Sequence, residues 1–284
     1  MNPPSASLSP SSPLVGAAAL DRVRVVLSLT SHPGNIGAAA RAMKTMGLTR
    51  LVLVSPRSYP HDEAARAEAE ARAAGADDLL RAATLCTSLD EALQGCIYAV
   101  ALSARVRNLG PGPLTARQAA SEIVAQAAEG DVALVFGNET AGLSNEDVQR
   151  CQRAVLIPAN PEYSSLNLGS AVQLLCYELR MAAFEAAPPV VTKAVPFASP
   201  PATHDDLERF YAHLERVMVS SGFHDPARPK RLMPKLRRLF GRSALERDEI
   251  NILRGVLDAV ERSMAPRGAG NACPDDGSDN AAGT

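Results

Sequence analysis

With 284 residues, a net charge of −2, and hydrophobic and charged shares of 46% and 21%, the chain has an ordinary globular composition and room for one full domain plus a smaller one. Aromatic residues make up 4% and Trp is absent, which argues against a platform of stacked rings for nucleobases; the overall charge means that any basic site must be local. The five cysteines (Cys86, Cys96, Cys151, Cys176, Cys273) are odd in number, widely spaced and without a CxxC pair, which argues against a disulfide framework and a zinc site and fits a reducing compartment.

Residues 1–20 are rich in Ser, Pro and Ala and read as a disordered tail. The short apolar patch within them has no basic region before it, so a secretory signal is not expected, and no apolar run reaches membrane-spanning length. A cytoplasmic chain without a membrane partner is the expectation. A first domain follows over 21–186. Strands are expected at 23–29, 51–54, 97–103, 132–136 and 154–157. Helices are expected at 36–46, 62–74, 89–94, 115–128 and 168–184. Gly47 should end the first of them, and Ser144 with Asp147 should form a capping box for another. Short apolar strands alternating with helices predict an α/β fold, a parallel sheet with helices on both faces. The loops after Leu29, Val100, Phe136 and Ile157 should then gather at one rim of the sheet.

Residues 187–203 hold five prolines and read as a semi-rigid linker. Over 204–264 the pattern is helical only, predicting a small all-α extension. Its stripes are Leu207, Phe210, Leu214 and Val217, then Met233, Leu236, Leu239 and Phe240, then Ile250, Leu253, Leu257 and Val260; Ser243 and Glu246 suggest a capping box before the third. Residues 265–284 read as a second disordered tail.

Three junctions stand out. Asn35-Ile36-Gly37 precedes Arg41 by one helical turn, which puts the guanidinium near the rim. In Gly137-Asn138-Glu139-Thr140-Ala141-Gly142-Leu143, two glycines bracket a carboxylate after a fully apolar strand. In Ile157-Pro158 through Ser164-Ser165-Leu166-Asn167, two prolines stop the strand, and Ser164, Ser165 and Asn167 offer caps for the next helix. None is a phosphate loop, since GxGxxG and GxxxxGK[ST] are both absent, and no His/Cys/Asp cluster has metal-ligand spacing, so no metal is expected. His32 has no partner in sequence and reads as a loop histidine.

Together the three junctions resemble, in order, the motifs of the SpoU-type (TrmH-like) RNA ribose methyltransferases of the knotted SPOUT class. Ser31-His32-Pro33-Gly34-Asn35, Arg41 to Leu48 and Asn160 to Leu168 are similar to the TrmJ branch, as are Asp206 to Tyr211, Lys235 to Phe240 and Asn251 to Gly255. The resemblance runs from about residue 21 to 263. It implies methyl transfer from S-adenosyl-L-methionine to a ribose 2′-hydroxyl of tRNA, at the anticodon-loop cytidine or uridine numbered 32. It implies a trefoil knot over about 132–184, and a homodimer with the cleft completed across the interface.

Carried over by position, the cofactor contacts would be Leu102, Ser103, Ala104, Gly137, Ile157, Ser164, Ser165 and Leu166. Leu102 stands where the branch often has threonine, which suits a backbone contact. The catalytic set would be Asn35, Arg41, Glu139, Ser165 and Asn167. The family's arginine is proposed as general base. A guanidinium, with a pKa above about 12, resists deprotonation, so Arg41 suits a phosphate contact or a developing alkoxide better. The run from Arg228 to Arg242 has seven basic residues and no acidic one; Arg228, Lys230, Arg231, Lys235, Arg237, Arg238 and Arg242 would contact RNA phosphates. Two alternatives stay open: the same chemistry on another RNA such as ribosomal RNA, or a non-catalytic RNA-binding relative.

Overall fold

The computed structural model describes residues 15–103, 113–185 and 199–264. The first domain begins with α1 (Val15–Leu20), β1 (Val23–Ser28), α2 (Pro33–Met46), β2 (Arg50–Val54), α3 (Glu63–Ala73), α4 (Asp77–Arg81) and β3 (Thr84–Cys86). It continues through α5 (Leu89–Leu93), β4 (Tyr98–Leu102), β5 (Pro113–Thr115), α6 (Ala116–Glu129), β6 (Val132–Phe136), α7 (Asn145–Gln149), β7 (Arg153–Leu156) and α8 (Leu168–Glu185). The extension consists of α9 (His204–Ser220), α10 (Leu232–Gly241) and α11 (Arg247–Met264).

The seven strands form one sheet in the order β3-β2-β1-β6-β4-β7-β5, and every pairing is parallel. β6 sits at the centre, paired to β1 and β4, and all five of its residues are buried, as a strand without polar residues demands. Two cores flank the sheet. The larger gathers Ile36, Met43, Ile123, Val172, Leu175 and Leu179 from the helices of one face, and the smaller gathers Leu89, Leu93, Val148 and Cys151 on the other. The result is the α/β/α layering that the strand–helix alternation predicts.

Several boundaries differ from expectation. α2 starts three residues early because Pro33 at its first turn has a pre-set φ and needs no hydrogen-bond partner for its nitrogen. Residues 15–20, expected within the tail, are helical, and Ala19 and Leu20 are buried in the larger core, so this stretch belongs to the domain. The short α4, β3 and β5 have no counterpart among the expected elements. The edge strands β3 and β5 have three residues each, too few to show a period. Gly47 ends α2 in the left-handed region at φ 83°, and Ser144 with Asp147 forms a reciprocal cap on α7. At Gly37 two helices meet closely: a Cβ there would lie 2.0 Å from the Ala69 carbonyl oxygen, so this glycine lets α2 lie against α3.

The extension docks on the first domain. The His204 N–H donates to the Cys96 carbonyl at 2.7 Å, and α10 packs against α7. Ala202, within the expected linker, is buried, and its N–H donates to the Leu245 carbonyl; residues 187–198 and both tails beyond 15–264 lie outside the described residues. Inside, Leu207, Phe210, Tyr211 and Ile250 form a small core, with Phe240 edge-on to Phe210 at 4.9 Å. The stripes are buried unevenly: Leu239 and Val260 stay exposed. The Ser243–Glu246 capping box does not form. The Glu246 N–H donates instead to the Glu249 carboxylate, and the Glu246 carboxylate accepts from the Ser199 N–H.

Candidate active site

Because all strands are parallel, the loops after β1, β4, β6 and β7 emerge at one rim. Glu139, in the loop after β6, is the hub. Its carboxylate accepts from the Ser31 hydroxyl at 2.7 Å, the Ser31 N–H at 3.0 Å, the His32 N–H at 3.2 Å and the Asn35 side-chain amide at 2.9 Å. His32 is the N-cap of α2 and offers no side-chain cap of its own. Glu139 therefore supplies, from another loop, the negative charge that a helix N-terminus favours. Burial pushes this carboxyl up, but the bonds from Asn35 and from the Ser31 N–H and hydroxyl outweigh it and hold the pKa down at about 2. Such a group stays ionised at neutral pH and is a poor proton acceptor; it holds Asn35 and the α2 start in place.

Asn35 passes the connection on. Its side-chain oxygen accepts from the Asn167 amide at 2.9 Å, while the Asn167 oxygen accepts from the Gly169 N–H at 2.9 Å and caps α8. The starts of α2 and α8 are thus joined through Glu139–Asn35–Asn167. Of the three expected caps only Asn167 acts; Ser164 and Ser165 stand exposed in the loop. Two residues outside the expected set belong to this network. Ser31 gives two bonds to Glu139, and the Asn138 amide donates at 2.7 Å to the carbonyl of Leu29, which is held at φ 55°. Both fall within the motif stretches, Ser31 at the start of Ser31-His32-Pro33-Gly34-Asn35 and Asn138 next to Glu139, and that placement is their sequence signal.

Beside the network lies a cleft of ≈ 280 Å³. Leu102, Ser103, Gly137, Ile157, Ser164, Ser165 and Leu166, all expected as cofactor contacts, line it together with Glu139. Ala104 lies outside the described residues. Leu102, Phe136, Leu143 and Leu168 make part of its wall apolar. The 137–143 loop folds back so tightly that a Cβ on Gly137 would lie 2.3 Å from the Leu143 nitrogen, which leaves bare backbone facing the cleft. An apolar slot edged by backbone and hydroxyl groups, with one ionised carboxylate, fits a flat heteroaromatic ring carrying a polar, cationic tail.

A second, more open cavity on the other side of Asn35 is lined by His32, Gly34, Asn35, Ala38, Asn167, and Glu68 and Arg72 of α3. Sequence reasoning misses the last two because α3 reads as a plain Ala-rich helix. Arg41 is exposed on α2 and lines neither cavity. The structure therefore brings Asn35, Glu139, Ser165 and Asn167 together and leaves Arg41 apart. In the extension, Arg228, Lys230, Arg231, Lys235, Arg238 and Arg242 are exposed, with no ion pair among the described residues. Arg237 is not a free cation. It forms a forked pair with Glu208, Nη2 to Oε2 at 2.7 Å, and stacks on Tyr211 at 4.4 Å, so it is a packing residue of the extension and leaves the expected RNA-contact set.

This sheet and rim have known counterparts. The SpoU rRNA Methylase family model matches residues 22–177, and the chain belongs to that family of methyltransferases. A second model, the TrmJ C-terminal domain, matches residues 205–269. The chain is 52% identical over 250 residues to the tRNA (cytidine/uridine/adenosine-2′-O-)-methyltransferase TrmJ of Pseudomonas aeruginosa, covering 86% of this chain and 95% of that one. It is 48% identical over 246 residues to the tRNA (cytidine/uridine-2′-O-)-methyltransferase TrmJ of Yersinia enterocolitica, covering 86% and 93%. The crystal structure of TrmJ from Z. mobilis superposes with a TM-score of 0.71 at 34% identity, covering 84% of this chain and 98% of that one.

Proposed function

We propose that this chain methylates a ribose 2′-hydroxyl of tRNA, at cytidine or uridine 32 of the anticodon loop, using S-adenosyl-L-methionine. The observation that carries the reading is the Glu139–Asn35–Asn167 network standing between a cofactor-sized cleft and an open cavity. The cofactor, when bound, supplies an electrophilic methyl group on a sulfonium. Leu102, Gly137, Ile157 and Leu166 would hold it largely through backbone and apolar contact. Asn35 and Asn167 would fix the ribose in the second cavity, with their amides oriented by Glu139 and by the α8 start. Glu139 keeps its charge and orients; it does not take the proton. The arginine's role is to stabilise the alkoxide that develops on the 2′-oxygen or to hold the adjoining phosphate.

Arg41 is exposed outside its own cleft, and this supports the homodimer: on a second copy it would reach the neighbouring site. The exposed Leu174 and Tyr177 of α8 offer apolar surface for such a contact. The threading of 132–184 as a trefoil knot belongs to the same reading. So does a cytoplasmic location, where tRNA is found; no helix among the described residues is long and apolar enough to cross a membrane. The exposed cations of 228–242 would grip tRNA phosphates.

The test is transfer of labelled methyl to bulk unmodified tRNA, followed by nuclease mapping. A 2′-O-methyl mark at nucleotide 32 is the expected result. Transfer to ribosomal RNA alone would keep the chemistry and discard the substrate. Cofactor binding without transfer to any RNA would withdraw the catalytic roles.

A further inference from the structure

His213 on α9 faces α11. Its side chain is 4% exposed, and neither ring nitrogen has a hydrogen-bond partner among the described residues. Buried polar atoms without partners are uncommon and costly. Its Nε2 lies near two carboxylates of α11, 3.5 Å from Asp258 Oδ1 and 3.4 Å from Glu261 Oε2. Asp258 and Glu261 are three residues apart and share one helix face, and Asp258 is half exposed, so the group is open to solvent on one side. Among the described residues Arg216 also reaches the site: its Nε donates to Glu261 Oε1 at 2.8 Å and its Nη2 lies 3.3 Å from Oε2.

These spacings suit an ion better than a proton. Charge-assisted hydrogen bonds close to about 2.7–2.9 Å. Ligands bonded at about 2.0–2.1 Å around a tetrahedral zinc-type ion stand about 3.4 Å from one another. One imidazole nitrogen and two carboxylates also neutralise a divalent charge and match a borderline-soft ion.

We propose that His213, Asp258 and Glu261 bind a divalent transition-metal cation of the zinc class, with water completing its coordination. The ion clips α9 to α11, and so steadies the helices around the basic segment. Spacing along the chain conceals the group because the ligands come from two helices, and its role is independent of the methyl-transfer site.

The experiment uses the full chain, stripped with a chelator and titrated with Zn²⁺ by calorimetry and with Co²⁺ by visible absorption, with thermal unfolding followed in parallel. One ion per chain, a rise in Tm, and a Co²⁺ spectrum without a thiolate charge-transfer band are expected. Asp258→Asn, a substitution at a half-exposed position that leaves the core intact, should abolish all three, as should His213→Gln. Arg216→Ala should tighten binding, because a competing cation is gone. Absence of binding by the wild-type chain, or binding that Asp258→Asn leaves unchanged, overturns the proposal. A Tm that follows pH but ignores metal also overturns it, and makes His213 a protonated partner of the two carboxylates.

Discussion

The rim of the sheet and the basic arm of the extension handle charge in opposite ways. At the rim one carboxylate, Glu139, is saturated by four hydrogen bonds from three residues, and the helix start it holds cannot shift without breaking several of them. In the arm, six of the seven cations from Arg228 to Arg242 are left to solvent, and only Arg237 is locked to a partner. A site that aligns reacting atoms needs fixed dipoles. A surface that meets a polyanion needs mobile, unpaired charge, whose value lies in counterion release rather than geometry. The two regions should therefore separate in kinetics: changes at the rim act on kcat, and changes in the arm act on KM for tRNA.

The largest expected effect is that of Arg41→Ala. The side chain is exposed and outside the core, so the circular dichroism spectrum should be unchanged, while kcat falls by about 100- to 1,000-fold, the scale of losing one group that stabilises transition-state charge. Activity close to wild type would remove Arg41 from the catalytic set. Glu139→Gln comes next. The amide cannot accept from all four donors at once, so Asn35 and the α2 start lose their alignment; kcat should fall by about 100-fold. Full activity in that variant would break the contrast at its rim end.

Smaller effects come from the arm. Replacing Lys235, Arg238 and Arg242 together by Ala should raise KM for tRNA and leave kcat unchanged. The salt dependence of binding should become shallower by about 0.7–0.9 in log–log slope for each phosphate that is no longer neutralised. An unchanged slope would make these residues a solvated face only. Arg237→Ala should instead lower the Tm, since it breaks the Glu208 pair and the Tyr211 stack.

The smallest expected effect is on acid stability. Glu139 is held at about 2 against an ordinary 4.5, so its contribution is complete above about pH 4.5 and drains as pH falls towards 2. The Tm difference between wild type and Glu139→Gln should shrink across that window and stay flat above it. A difference that grows as pH falls would contradict the sign.

Much of this is legible in the chain. The short apolar strands alternating with helices specify the parallel sheet, and Ser144 with Asp147 caps α7 as read. The three junctions at the rim are visible as loops after strands, and the resemblance supplies roles that spacing cannot. What stays hidden has physical causes. β3 and β5 have three residues each and carry no period. The Arg237–Glu208 pair joins positions 29 apart, so a run that reads as seven free cations contains one that is used for packing. Arg41 reads as a rim residue by helical spacing, but that spacing does not reveal that its side chain lines neither cavity. The close backbone approach that Gly37 allows is that of α2 to α3, which the sequence of one helix cannot show.

The most direct measurement is methyl transfer to two synthetic tRNAs that differ by one atom, a ribose or a 2′-deoxyribose at nucleotide 32. The account predicts stoichiometric transfer to the first and none to the second, with both bound equally well. Equal transfer to both would place the acceptor elsewhere and contradict it.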